Sequence, residues 1–270
     1  MPETRFHPGA TRGARPGRRP ARHRAGRLPG EGGSEQGFTV ALIGPDGAGK
    51  TTVARRLESS LDVPVKYLYM GVNPDASNHL LPTTRLAHAL KRRRGAKPDT
   101  GGPPDPRRPA KAPPQGIRRV SSTSRSLLRV ANRLAEEWHR QLVASLHLRR
   151  GAIVVFDRHF FADYYVYDVV RNGNRSLARR IHGFALRRFY PRPDLVIYLD
   201  APAEALLARK GEGTLESLAR RRREYLELAR VMEHFHVVDA SRPLDDVTHD
   251  VVRLVGSFSA GKTLGARSDA

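Results

Sequence analysis

A chain of 270 residues with a formal charge of +21 is long enough for one α/β core of about 200 residues plus tails, or for two small domains. It has no cysteine, which excludes thiol catalysis, disulfides and cysteine-ligated zinc. No stretch approaches the roughly 18 apolar residues that cross a bilayer, and the Arg-rich start lacks both the apolar centre of a secretory signal and the apolar face of a transit peptide, so the expected compartment is cytoplasmic.

Residues 1–36 are mostly Arg, Gly and Pro with almost nothing to bury, which predicts a disordered basic tail. The first 30 residues hold eight Arg and one Glu, a net +7, and residues 85–119 hold eleven Lys or Arg and two Asp, a net +9. Only +5 is left for the rest, so the core is mildly basic. A solvated tail is the bland reading of such runs, and contact with nucleic acid or an anionic surface is the sharper one. No aromatic residue interleaves the Arg residues between Phe6 and Phe38, which argues against a single-strand stacking platform.

Phe38 to Ile43 is a continuous apolar run of the kind found in a buried parallel strand. A Gly-rich turn follows, then a helix from Lys50 to about Ser60 with Val53, Ala54 and Leu57 on one face. Val63 to Met70 reads as a second strand and Leu80 to Arg93 as a basic helix. Prolines and glycines make 95–116 a loop or disordered insertion. A long helix is expected over Ser124 to Arg150, where Leu127, Leu128, Ala131, Leu134, Ala135, Trp138 and Leu142 recur at helical spacing. Ala152 to Phe156 is the third strand, ending at Asp157, and helices follow over 161–171 and 176–189. Leu195 to Leu199 is the fourth strand, ending at Asp200. Pro202 suits the first turn of the next helix. Lys210 to Gly213 punctuates the chain before a helix over about 214–233. Phe235 to Val238 is the fifth strand, a last helix covers Leu244 to about Val255, and 259–270 reads as a flexible tail. One domain over 37–258, with an insertion at 95–116, accounts for the pattern.

Five strands alternating with helices predict an α/β fold: a five-stranded parallel sheet covered on both faces. Ligands of such sheets bind beyond the carboxyl ends of the strands, where Gly44 to Thr51, Asp157-Arg158, Asp200 and Asp239 fall.

Gly44-Pro-Asp-Gly-Ala-Gly-Lys50-Thr51 matches the P-loop pattern of a P-loop NTPase. Gly44, Gly47, Ala48 and Gly49 let successive N–H groups face an anion, and the following helix adds its positive end. Lys50 would reach the β- and γ-phosphates of ATP, with Thr51 on Mg²⁺ and Thr52 beside it in the nucleotide site. Asp157 could hold Mg²⁺ directly or through water, and Arg158 could clamp a phosphate in flight. A salt bridge or strand-end cap is the bland alternative for that pair. Arg209 and Lys210, then Arg220 to Arg223, form a basic segment that could close over ATP. The last four point all around a helix, so they cannot all face one ligand. His159 is read as a capping or packing residue before a general base, and Trp138 as core before stacking surface. Tyr164, Tyr165 and Tyr167 lie near the cleft. One of them, taken as Tyr165, could stack on a substrate base, with core packing the equal alternative.

In the order and spacing of Gly44 to Thr52, Asp157-Arg158-His159, Pro193 to Pro202 with Glu204, Tyr225 to Ala229 and Val237 to Ala240, the chain resembles the thymidylate kinase family over roughly 38–256, interrupted by 71–120. The resemblance implies a short lid over the sheet, an acceptor-sugar contact for Asp46, Mg²⁺ and phosphate contacts for Asp157 and Arg158, and a catalytic lid residue at Arg209 or Lys210. The loop after Ala240 would lie near adenine, and homodimers are usual in the family. Gly71-Val-Asn-Pro74 replaces the family's Arg-Glu-Pro segment, and its base-reading Arg would fall near Glu136 or Trp138. The expected function is ATP-dependent phosphoryl transfer to a nucleoside monophosphate, with ATP and a phosphorylated small molecule as partners. A kinase of another acceptor, such as a sugar phosphate, and a non-catalytic nucleotide-binding regulatory protein remain open.

Overall fold

A computed structural model describes residues 37–71, 81–93, 117–165, 177–211 and 213–268. The expected basic tail over 1–36 and insertion over 95–116 lie outside them. Among the described residues, no helix is long and apolar enough to cross a membrane.

Strands β1 (Thr39–Ile43), β2 (Val65–Tyr69), β3 (Ile153–Asp157), β4 (Leu195–Asp200) and β5 (Phe235–Asp239) form one parallel sheet in the order β2-β3-β1-β4-β5. Helices α1 (Lys50–Ser60), α2 (Pro82–Arg93), α3 (Ile117–Leu148), α4 (Phe160–Tyr165), α5 (Leu177–Arg188), α6 (Ala203–Lys210), α7 (Leu215–Glu227) and α8 (Leu244–Ser268) alternate with the strands. A parallel neighbour needs a crossover, and a helix supplies one while covering a face. β1 is wholly buried, so it reads as a continuous apolar run instead of an alternating one.

The two faces divide the residues of β1. Val40 and Leu42 pack with Val53, Leu57, Val247, Val251 and Val255 on the α1 and α8 side. Ala41 and Ile43 pack with Phe160, Phe161, Tyr164, Leu186 and Tyr225 on the other. This is the two-residue alternation of an extended strand. Each fully buried Val or Leu contributes about 1.5–3 kcal/mol, so both faces anchor the strand that carries the glycine loop.

Two expectations are corrected. The last helix does not stop near Val255, and the expected tail is helical to Ser268. Phe258 packs its ring 5.1 Å from that of Phe38, and Lys262 Nζ donates to Asp194 Oδ1 at 2.7 Å. These contacts carry the helix two turns past the expected end.

The second correction concerns α3. Its apolar stripe is not the core face. Leu128, Trp138, Leu142 and Leu146 are exposed, and Glu136, Glu137, Arg140, Gln141 and Ala144 are buried. The inner face makes polar contacts to neighbouring elements, with Glu136 Oε2, Glu137 Oε2 and Gln141 Nε2 left buried without a hydrogen-bond partner. Glu137 Oε1 lies 3.0 Å from His182 Nε2, Glu136 Oε1 accepts from Leu81 N–H at 3.1 Å, and Arg140 Nη1 donates to the Gly71 carbonyl at 2.8 Å. Hydrophobic spacing located a helical face, but it could not say which side of the helix meets the sheet.

Candidate active site

The carboxyl ends of β1, β3 and β4 bring the sequence-predicted residues into one cleft. β1 leaves the sheet through Gly44, whose φ is +146°. A Cβ there would lie 2.6 Å from the Leu199 carbonyl oxygen, so only glycine fits. Gly49, at φ 87°, caps α1 with no side-chain partner. The first-turn N–H groups of α1 are thus left to an anion.

Lys50 is buried and donates from Nζ to the Pro45 carbonyl at 2.7 Å. Burial, together with the Arg158 charge, lowers its pKa to about 8. Its ammonium therefore sits within the curl of the loop, where phosphate oxygens would replace the carbonyl.

Thr51 Oγ1 donates to Asp157 Oδ2 at 2.5 Å, and the Tyr67 hydroxyl donates to the same oxygen at 3.0 Å. Asp157 Oδ1 is buried with no hydrogen-bond partner. An orphaned carboxylate oxygen beside a threonine hydroxyl suits a hard divalent cation. No cluster of three His, Cys, Asp or Glu exists among the described residues, so such a cation would take its other ligands from phosphate and water. Tyr67 was missed by sequence reasoning. Its signal is parallel register, since Tyr69 pairs with Asp157 and Tyr67 lies two residues before it, on the same face of β2.

Arg158 has a left-handed backbone, φ 67°, held by its N–H to the Leu42 carbonyl at 3.1 Å. A non-glycine residue here is uncommon and marks a constraint. The turn aims the guanidinium back at the P-loop, where Nη2 pairs with Asp46 Oδ1. Burial alone would raise the Asp46 pKa, but Arg158, Lys50 and Lys210 together hold it below the usual carboxylate value. Burial opposes the charge on Arg158, but Asp163 and Asp46 more than offset it and raise its pKa.

The two lid candidates diverge. Lys210 Nζ lies 4.0 Å from Asp46 Oδ1. Arg209 turns away, donating to the carbonyls of Ala240 at 2.8 Å and Ser241 at 3.3 Å. It therefore braces the loop after β5. Among the four arginines of α7, Arg222 grips Asp200 with two bonds of 2.7 Å, whereas Arg221 lines a cavity of about 240 Å³ with Gly44, Pro45, Asp46, Arg158, Gly213, Leu218 and Tyr225. The sequence offered Arg221 only as one of four consecutive arginines and did not place Tyr225 in the site.

Tyr165 ends α4 and stacks on Phe161 with ring centroids 4.7 Å apart. Tyr164 is buried, and Tyr167 lies outside the described residues. His159 is buried between Phe156 and Tyr190 with neither ring nitrogen hydrogen-bonded, and burial lowers its pKa to about 3. A neutral, walled-in ring is packing, not a base. Trp138 stands on the outer face of α3 at 46 % exposure, not in the core.

A family model described as thymidylate kinase matches residues 117–251, half of the chain. The chain belongs to the thymidylate kinase family. It is 30 % identical over 230 residues to a probable thymidylate kinase of Staphylothermus marinus, covering 81 % of this chain and 94 % of the relative. It is 27 % identical over 228 residues to another of Pyrococcus horikoshii, covering 82 % and 96 %. A thymidylate kinase of Thermosipho africanus is 27 % identical over 146 residues, covering 50 % and 69 %.

The α/β core with its five parallel strands is thus a thymidylate kinase-type P-loop fold. The chain is a P-loop kinase of the nucleoside monophosphate kinase type, a transferase that uses ATP. Of the two residues near which the resemblance puts a base-reading arginine, Trp138 is exposed and Glu136 is buried on α3. Arg140, one turn further, is the buried guanidinium of that face and is bonded to Gly71.

Proposed function

We propose that the chain transfers the γ-phosphoryl group of ATP to thymidylate or a near nucleoside monophosphate. The observation that carries this reading is the meeting of Lys50, Asp46 and Arg158 in one cleft beside Thr51 and Asp157. Gly44, Gly47, Ala48, Gly49, Lys50, Thr51 and Thr52 would cradle the donor phosphates. Lys50 would trade the Pro45 carbonyl for phosphate oxygens, neutralising charge that grows on them. Asp46 would meet the acceptor sugar, with Arg158 on the phosphate between donor and acceptor. Lys210 would support that charge from the lid, and Tyr165 would flank the acceptor base.

Mg²⁺ is the proposed cofactor, with Thr51 and Asp157 as its protein contacts. When bound it would neutralise phosphate charge and fix donor geometry. The orphaned Asp157 Oδ1 supports this assignment. The exposed apolar stripe of α3, with Leu177, Ile181 and Phe184 exposed on α5, supports a homodimer. Its action is proposed to be cytoplasmic, where ATP and nucleoside monophosphates are pooled.

The expected base-reading arginine would fall near Glu136 or Trp138, and neither offers the paired donors of a guanidinium, which favours a second acceptor class. Release of ADP with ATP and Mg²⁺ should therefore be measured against thymidylate, the other nucleoside monophosphates and sugar phosphates. Turnover with a nucleoside monophosphate is expected. Turnover confined to a sugar phosphate would reassign the acceptor, and ATP binding without any turnover would overturn the enzyme reading.

A further inference from the structure

Tyr67 lies outside every motif of the sequence, yet it reaches the same carboxylate oxygen as Thr51. Both hydroxyls donate to Asp157 Oδ2, Tyr67 at 3.0 Å and Thr51 at 2.5 Å. Asp157 Oδ1 receives neither and is buried without a partner. The last torsion of an aspartate is soft, so a carboxylate held by one donor can swing about it. Two donors on one oxygen, one from β2 and one from α1, fix its plane and decide which oxygen stays open.

Tyr67 is in turn held by α1. Thr51, Arg55 and Glu58 recur at spacings of four and three along that helix, so they share one face. That face lies against Tyr67. The Arg55 guanidinium stands 5.7 Å from the centre of the Tyr67 ring, and Glu58 Oε1 accepts from the Tyr67 N–H at 3.0 Å. β2 is an edge strand, and Glu58 supplies the partner that a further strand would. The helix that begins with the P-loop lysine therefore fixes both donors to Asp157.

We infer that Tyr67 is a positioning residue for the divalent cation: its hydroxyl holds Asp157 Oδ2 and so keeps Oδ1 open to the metal. This rests on the phosphoryl-transfer reading above and on its cation site. Thr51 gives its one proton to Oδ2 and keeps the lone pairs of Oγ1 for the cation. Tyr67 acts through Asp157 and not on the phosphates. Removing an outer contact of this kind typically costs about 10–100-fold in metal affinity.

The test is Tyr67→Phe, which removes the hydroxyl and leaves the ring under Arg55. The probe is Mn²⁺ added to the complex of the protein with ADP, with free Mn²⁺ read by electron paramagnetic resonance. The variant is expected to bind Mn²⁺ about tenfold or more weakly, while metal-free ADP binds within about threefold of the parent. Where an acceptor turns over, the Mg²⁺ concentration for half-maximal rate should rise by a similar factor. An Mn²⁺ affinity within about threefold of the parent overturns the inference. So does an equal loss for metal-free ADP, since that is a general loosening of the site. A parent that turns over no acceptor fails the phosphoryl-transfer reading, and the Mn²⁺ comparison, which needs no acceptor, still decides the inference. A parent whose ADP complex takes up no Mn²⁺ overturns the inference together with the cation site.

Discussion

Thr51 Oγ1 and Asp157 Oδ2 stand 2.5 Å apart across the cleft, joining the start of α1 to the end of β3, and Asp157 Oδ1 is left buried and without a partner. Burying a carboxylate oxygen unpaired costs free energy that a bound cation would recover. Asp157→Asn keeps the shape and removes the charge. It should lower kcat about 10²–10³-fold, the order expected for one electrostatic stabiliser, and raise the Mg²⁺ concentration for half-maximal rate. Initial rates over a Mg²⁺ titration check this, and an unchanged Mg²⁺ requirement would remove Asp157 from the metal site.

Lys50 titrates near pH 8 in the free protein because burial and Arg158 disfavour its charge. Donor phosphates favour that charge, so ATP binding at pH 8 should take up about half a proton per site. Calorimetry in two buffers of different ionisation enthalpy reads this directly. kcat/KM for ATP should fall as pH rises above about 8, while kcat falls only at higher pH. For stability without ligand the sign is the opposite of the usual lysine pair. The folded pKa lies below 10.5, so the unfolded chain binds more protons between about pH 8 and 10.5, and stability rises with pH across that window. A kcat/KM profile flat to pH 10 would remove Lys50 as the titrating group.

His159 has a folded pKa near 3, set by burial, against an ordinary 6.5. The unfolded state binds more protons between those values, so stability is lost as pH falls from about 6.5 toward 3. At pH 5 the loss is about 2 kcal/mol. His159→Phe fills the same aromatic slot between Phe156 and Tyr190 and should abolish this loss, with kcat unchanged. Urea midpoints of both proteins at pH 7 and pH 5 test it. Equal shifts in the two would refute the assignment.

The sheet, the P-loop and the Asp157-Arg158 pair were legible because each rests on a local rule: an apolar run, a glycine spacing, a carboxylate at a strand end. The partners of these groups were not legible. Tyr67 reaches Asp157 only through the register of β2 on β3, and register across a long crossover is not written in either strand. Arg209 carries the right chemistry for the lid, but it is turned to the Ala240 carbonyl by the path of α6. The α3 face failed for a more general reason. Periodicity marks which residues share a side, and it misleads when the inner side is polar, as at Glu137, Arg140 and Gln141.

Glu137 and His182 form a buried pair at 3.0 Å, 0 % and 1 % exposed, joining α3 to α5. Glu137 Oε2 already has no partner. His182→Ala would leave the carboxylate with neither bond and should destabilise the fold by about 3 kcal/mol. Replacing both, as Glu137→Gln with His182→Gln, should recover part of that loss by restoring an amide pair. Denaturant unfolding of the three variants gives the coupling. A His182→Ala protein as stable as the parent would mean that the pair contributes little.

Leu128, Trp138, Leu142 and Leu146 recur along the outer side of α3, and Leu177, Ile181 and Phe184 are exposed on α5, which packs beside it. A monomer exposes single apolar side chains without consequence, but a contiguous set on adjacent helices marks an interaction surface. A second copy of the chain is the proposed cover, since a two-fold contact lets one apolar patch bury itself. Trp138→Glu with Leu142→Glu puts two charges at the centre of that patch, and like charges would then face each other across the axis. Light scattering should give a dimer mass for the parent and a monomer mass for the variant, with the β-sheet signal retained. Trp138 fluorescence in the parent should shift to the red on dilution through the dissociation range, as the indole gains water. A parent that is monomeric at all concentrations would leave α3 without a self-partner.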